Sequence, residues 1–158
     1  MGEGIAEADS SSSEDVHREM AVQLFNQTWA LLDELHRTPA QDRQMLGAAL
    51  GSYYHWTVVG DERNWAVADW QVARVLTAVG QPDLAQQFAD QALRRAVDDN
   101  LGPFLVACGH EVLARVAGAK GDDEARDNHL ARAEDLLSVI SDEDERDVLR
   151  ADLDSLRP

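Results

Sequence analysis

The sequence predicts an all-α fold of about seven antiparallel helices, stacked as hairpins. Three observations predict it. Apolar residues recur at helical spacing along most of the chain, and no stretch alternates apolar with polar residues over a strand's length. Proline stands only at the ends of the helical stretches. One phrase also occurs twice, 41 residues apart: Val72-Ala73-Arg74-Val75-Leu76-Thr77-Ala78-Val79-Gly80 returns as Leu113-Ala114-Arg115-Val116-Ala117-Gly118-Ala119-Lys120-Gly121. A fixed period of this size marks a stack of helix pairs.

Residues 1–13 are small, polar and acidic, ending in four serines. They bury too little apolar area to offset the entropy of ordering, so a disordered tail is expected there. A single helical domain follows over residues 14–158. Its first helix, residues 14–37, carries Met20, Leu24, Leu31 and Leu35 as an apolar stripe and stops at Thr38-Pro39. The second, residues 40–59, puts Met45, Leu46, Ala49, Leu50, Tyr53 and Trp56 on one face. Gly47, Ala48 and Gly51 form another face, which a neighbour can approach closely. Gly60 ends this helix. The third, residues 61–79, turns Trp65, Val72, Leu76 and Val79 inward and ends at Gly80.

Pro82 opens the fourth helix, at a position where its missing N–H costs nothing. The fifth spans residues 103–119 and the sixth residues 122–140. Ser141 is the expected cap of the seventh, whose Leu149, Leu153 and Leu156 give one apolar side opposite a charged one. That is the form of a terminal capping helix. Connections of two to five residues make sequential helices antiparallel.

Composition excludes several functions. The 158 residues carry 30 acidic and 14 basic side chains, a formal net charge of −16. Such a surface repels nucleic acid and anionic lipid, and attracts a basic partner or simply keeps the chain dissolved. No apolar run reaches the ~18 residues of a membrane span. The N-terminal residues lack the basic and apolar regions of a secretion signal, and Ala6 stands where a myristoylation pattern needs Ser or Thr, so a cytoplasmic location is expected. Cys108 is the single cysteine, within Phe104-Leu105-Val106-Ala107-Cys108, and reads as a buried, inert thiol.

The third-plus-fourth and fifth-plus-sixth pairs resemble tetratricopeptide repeats. The resemblance rests on Val72-Ala73, Gly80, Ala85 and Ala92 in one copy, and on Leu113-Ala114, Gly121 and Ala133 in the other. These match the family's large-small pair, glycine turn and small residues on the second helix. The match covers about residues 65–137, with residues 14–60 as a degenerate first pair. The period of 41 exceeds the family's usual one, and Asp69 and His110 stand where the family often has an aromatic ring. The resemblance implies a right-handed α–α superhelix that binds a peptide or partner protein in its concave groove. The chain is also similar to short uncharacterised bacterial all-helical proteins, through Tyr54-His55-Trp56 and Asp69-Trp70-Gln71. That likeness implies no chemistry.

Polar residues inside apolar helices are the candidate functional groups, because an unpaired buried charge costs several kcal/mol. Arg74 and Arg115 are repeat equivalents, four residues after Trp70 and Glu111. On the first helices of their pairs they would line the groove as a ladder able to clamp a carboxylate or phosphate of a partner, with Trp70 as a stacking ring. Glu111 and Arg115 also read as an ordinary surface pair worth ~0.2–0.5 kcal/mol. His55, Asp69, His110 and Glu111 offer an alternative acid–base or small-ligand cluster, or His55 a simple inter-helix hydrogen bond. Trp56 and Trp65 read as core, Trp29 and Trp70 as edge residues, and His17, His36 and His129 as exposed or boundary.

His110-Glu111 does not begin a HExxH motif, because Ala114 stands where the second histidine belongs. No phosphate-binding glycine loop or nucleophile elbow is present. The chain is therefore expected to be non-catalytic, with no cofactor and no metal. Its expected partner is a protein or peptide, and two copies are a further expected pairing through the apolar edge of the first helix.

Overall fold

A computed structural model describes the backbone of residues 3–157 and the side chains of residues 12–157. Among the described residues there are seven α-helices and no strand: α1 (Glu3–Leu32), α2 (Pro39–Val59), α3 (Glu62–Ala78), α4 (Pro82–Asp98), α5 (Pro103–Lys120), α6 (Asp123–Leu137) and α7 (Glu143–Asp154). The tail expected over residues 1–13 differs from this. Residues 1 and 2 lie outside the described residues, and the backbone from Glu3 onward belongs to α1. Serine is only a mild helix-breaker, so four in a row do not stop a helix propagating from stable turns beyond them.

Local chemistry sets the other boundaries. Thr38 Oγ1 accepts from the Gln41 N–H at 3.3 Å, and Gln41 Oε1 accepts from the Thr38 N–H at 2.8 Å, a reciprocal cap that opens α2. Asp61 and Asn64 repeat it at the start of α3. The cap of α7 is Asp142, accepting from the Glu145 N–H at 2.9 Å, and not the expected Ser141. Asp caps as well as Ser and adds negative charge at the positive helix end.

The two glycine turns match down to their hydrogen bonds. Gly80 and Gly121 both have φ of 76°, a left-handed backbone that glycine adopts without a Cβ clash. Behind them the Gln81 N–H donates to Leu76 O at 2.8 Å, and the Asp122 N–H to Ala117 O at 2.9 Å. Each of these positions differs from its counterpart by the 41-residue spacing.

α1 packs chiefly on α2, α3 on α4, and α5 on α6, while α2 meets α3 and α4 meets α5. α3 also touches α5, and α5 touches α7, so the first helices of successive pairs share a face. Small residues make the close approaches. Ala73, Ala85, Ala89, Ala114 and Ala133 are fully enclosed. A methyl group on Gly109 would lie 2.8 Å from Leu93 Cα, so the α4–α5 crossing requires glycine there. Gly47 faces open space, and nothing in the packing explains it.

The tryptophans depart from expectation. Trp70, read as an edge residue, is only 9% exposed, whereas Trp56 and Trp65 are half-buried. Trp65 stays at the boundary because its indole N–H donates to Trp56 O at 2.7 Å, serving a carbonyl at the end of α2. No helix among the described residues is long and apolar enough to cross a membrane.

Candidate functional site

Positions 29, 70, 111 and 152 follow the 41-residue spacing and lie on α1, α3, α5 and α7. They hold Trp29, Trp70, Glu111 and Asp152, and they form one continuous line of contacts. The Trp29 and Trp70 ring centroids are 5.2 Å apart, tilted by 47°. The Trp70 indole N–H donates to Glu111 Oε2 at 3.1 Å. Arg74, one turn beyond Trp70, joins Glu111 Oε1 at 3.4 Å to Asp152 Oδ1 at 3.0 Å. Arg115 donates from Nε and Nη2 to Glu111 Oε1, at 2.9 and 2.6 Å, and from Nη2 to Ser155 Oγ at 3.2 Å.

Glu111 is the hub. It is wholly enclosed, and a buried carboxylate is tolerable only when charged or polar donors surround it. Trp70, Arg74 and Arg115 are those donors. The Arg74 guanidinium also lies over the rings of Trp29 and Trp70, 5.1 and 5.6 Å from their centroids. The structure therefore brings Trp70, Arg74, Glu111 and Arg115 together, but with a changed emphasis. Both arginines direct their charge inward to Glu111. The pair is a partly buried network, not the simple helix-surface pair that the spacing of 111 and 115 suggests.

Beside this network a cleft of about 450 Å³ opens between α1, α3, α5 and α7. Phe25, Trp29, Val67, Phe104 and Val148 supply its apolar wall, and Asp33, Arg63 and Asp152 supply polar groups. A neighbouring cleft of about 230 Å³ contains Arg37, Arg74 and Arg115 and shares Asp33.

The alternative cluster does not form. His55 Nδ1 lies 2.8 Å from His17 Nδ1, between α1 and α2. Asp69 accepts from Arg95 Nε at 2.9 Å, between α3 and α4, and Arg95 in turn stacks over Trp65. His110 Nδ1 lies 3.0 Å from His129 Nδ1, between α5 and α6. Each of the three is held within its own hairpin, while Glu111, next in sequence to His110, points to the first-helix face. Adjacent residues on a helix leave it ~100° apart, so the two cannot share a site. Among the described residues no three His, Cys, Asp or Glu side chains gather as a metal ion requires.

Burial sets the protonation of these pairs. It pushes Asp69 up to about 6, against the downward pull of Arg95. It lowers His110 to about 4, with His129 and Arg132 adding to the shift. His55 is lowered by burial and by His17, and His129 by burial and by Arg132. In each histidine pair one Nδ1 donates and the other accepts, so the accepting ring is a neutral imidazole.

Sequence reasoning missed Asp33, Asp152, Arg37, and the partners His17 and His129. A signal existed for two of them. Asp33 precedes Arg74 by 41 residues, and Asp152 follows Glu111 by 41. Comparison with protein-family models, with curated proteins and with solved structures returns no match for this chain.

Proposed function

We propose that the chain is a non-catalytic interaction module, a tetratricopeptide-like stack of helical hairpins whose first-helix face receives a segment of a partner protein. The observation that carries this reading is the cleft of about 450 Å³ beside Trp29 and Trp70. Aromatic and aliphatic walls with a few polar groups at the margin are the usual makeup of a binding cleft. The buried Glu111 network holds Trp70 and Arg74 in place, so the wall is organised before a partner arrives. The matched turns at Gly80 and Gly121 support the repeat architecture that makes such a face continuous.

A displayed library of random twelve-residue peptides tests it, selected on the intact chain and screened against Val148→Trp. Val148 is an exposed wall residue, so the larger ring plugs the cleft without disturbing the core. Selected peptides should bind the unaltered chain and lose most of their affinity for the plugged one. Equal binding to both would overturn the cleft as the site.

A further inference from the structure

If the first-helix face is the binding face, as proposed above, its charges say what it binds. We propose that the bound segment is cationic and apolar. One large apolar side chain enters the cleft beside Trp29, Val67, Phe104 and Val148, and an adjacent lysine or arginine lies at Asp33 and the C-terminal end of α1.

Two observations carry this. The first is the charge pairing around the cleft. Arg63 pairs with Glu145 at 3.5 Å, Arg74 with Glu111 and Asp152, and Arg115 with Glu111. Every arginine there already has a carboxylate. Asp33 is exposed, borders both clefts, and has no ion-pair partner among the described residues. A carboxylate or phosphate on a partner would therefore meet an uncompensated negative charge, on a chain of net charge −16. A cation would complete the set.

The second is Arg37, which already shows what this helix end accepts. Asp33 lies just past α1, where the last carbonyls carry partial negative charge. Arg37 Nη1 donates to the carbonyls of Leu31, Leu32 and Glu34, at 3.3, 3.2 and 3.1 Å, and Arg37 Nε pairs with Asp42 at 2.8 Å. The chain itself thus seats a guanidinium at the end of α1. Arg37 is taken up by those carbonyls and by Asp42, which leaves Asp33 for a second cation.

Calorimetric titration at low salt tests the proposal with three capped peptides. All carry Leu-Phe in a Gly/Ser frame, followed by Arg, Gln or Glu. Affinity should fall in that order, by roughly threefold per step, the scale of an exposed ion pair. Asp33→Asn should erase the order while leaving the Gln peptide unchanged, and Val148→Trp should abolish binding of all three. If the Glu peptide binds the unaltered chain as tightly as the Arg peptide, and Val148→Trp still abolishes both, the cationic occupant is overturned and the cleft stands. A preference for Arg that survives Asp33→Asn overturns Asp33 as the seat of the cation. If no peptide binds, or if Val148→Trp changes nothing, the binding face itself is overturned.

Discussion

The α3–α4 and α5–α6 hairpins are the same device with two different fillings. They share the glycine turn, the hydrogen bonds behind it, and the enclosed alanines at 73 and 114 and at 92 and 133. Among the positions where they differ, two adjacent ones on the first helix carry the ties described above. Where α3 has Asp69 and Trp70, α5 has His110 and Glu111. One position faces the partner helix of the hairpin and holds Asp69–Arg95 in one case and His110–His129 in the other. The next faces the neighbouring hairpin, and there the two equivalents bond to each other, Trp70 to Glu111. Small residues and turns build the hairpins, and the two polar positions tie each one internally and to the next.

The largest expected effect comes from breaking the inter-hairpin tie. Glu111→Ala leaves Arg115 and the Trp70 indole N–H without their carboxylate and Arg74 with Asp152 alone, and should cost on the order of 3–5 kcal/mol of unfolding free energy. Urea titration reads it directly. A loss under ~1 kcal/mol would mean that water replaces the carboxylate, and that the hub is not a hub.

The intra-hairpin pairs should pull in opposite directions with pH. Asp69 is raised from 3.8 to about 6, so its contribution is full below the lower value and is lost as pH rises through the upper one. His110 is lowered from 6.5 to about 4, so its contribution is full above 6.5 and is lost as pH falls towards 4. Between those values the two slopes oppose each other. His110→Gln should leave a chain that weakens as pH rises from 4 to 6, and Asp69→Asn one that weakens as pH falls from 6.5 to 4. Each limb is on the order of 2 kcal/mol. Thermal melts across that range check it, and parallel profiles for the two variants would contradict the assignment.

A smaller test compares Gly109 with its equivalent on α3, Ala68. Gly109→Ala forces a methyl onto Leu93 and should cost about 1–3 kcal/mol. Ala68→Gly removes a buried methyl and loosens a helix, for about 1 kcal/mol. Denaturant midpoints should fall for both, so each hairpin has the residue its own crossing requires. A Gly109→Ala chain as stable as the original would show that α4 gives way.

Much of the fold was legible because its determinants are local. Pro39, Pro82 and Pro103 open helices, and Gly80 and Gly121 follow the ends of α3 and α5, all within a residue or two of where propensity puts them. The start of α1 was not legible, because a weak stretch joined to a strong helix borrows its stability. The convergence of Trp70, Arg74, Glu111 and Arg115 could be anticipated from spacing, but not the inward direction of the arginines. That depends on Glu111 being enclosed, which is a property of three helices together. The dispersal of His55, Asp69 and His110 has the same origin. Sequence places each on a helix, and only the facing helix decides whether a histidine meets His17, His129 or another polar group.

Cys108 offers an internal clock. The lone thiol sits in the central core on α5, 3% exposed, and burial holds its pKa well above the ordinary thiol range, with Glu111 adding to the rise. An alkylating reagent can reach it only when the middle of the stack parts. The rate at which native protein consumes such a reagent therefore times how often the hairpins separate, without any introduced label.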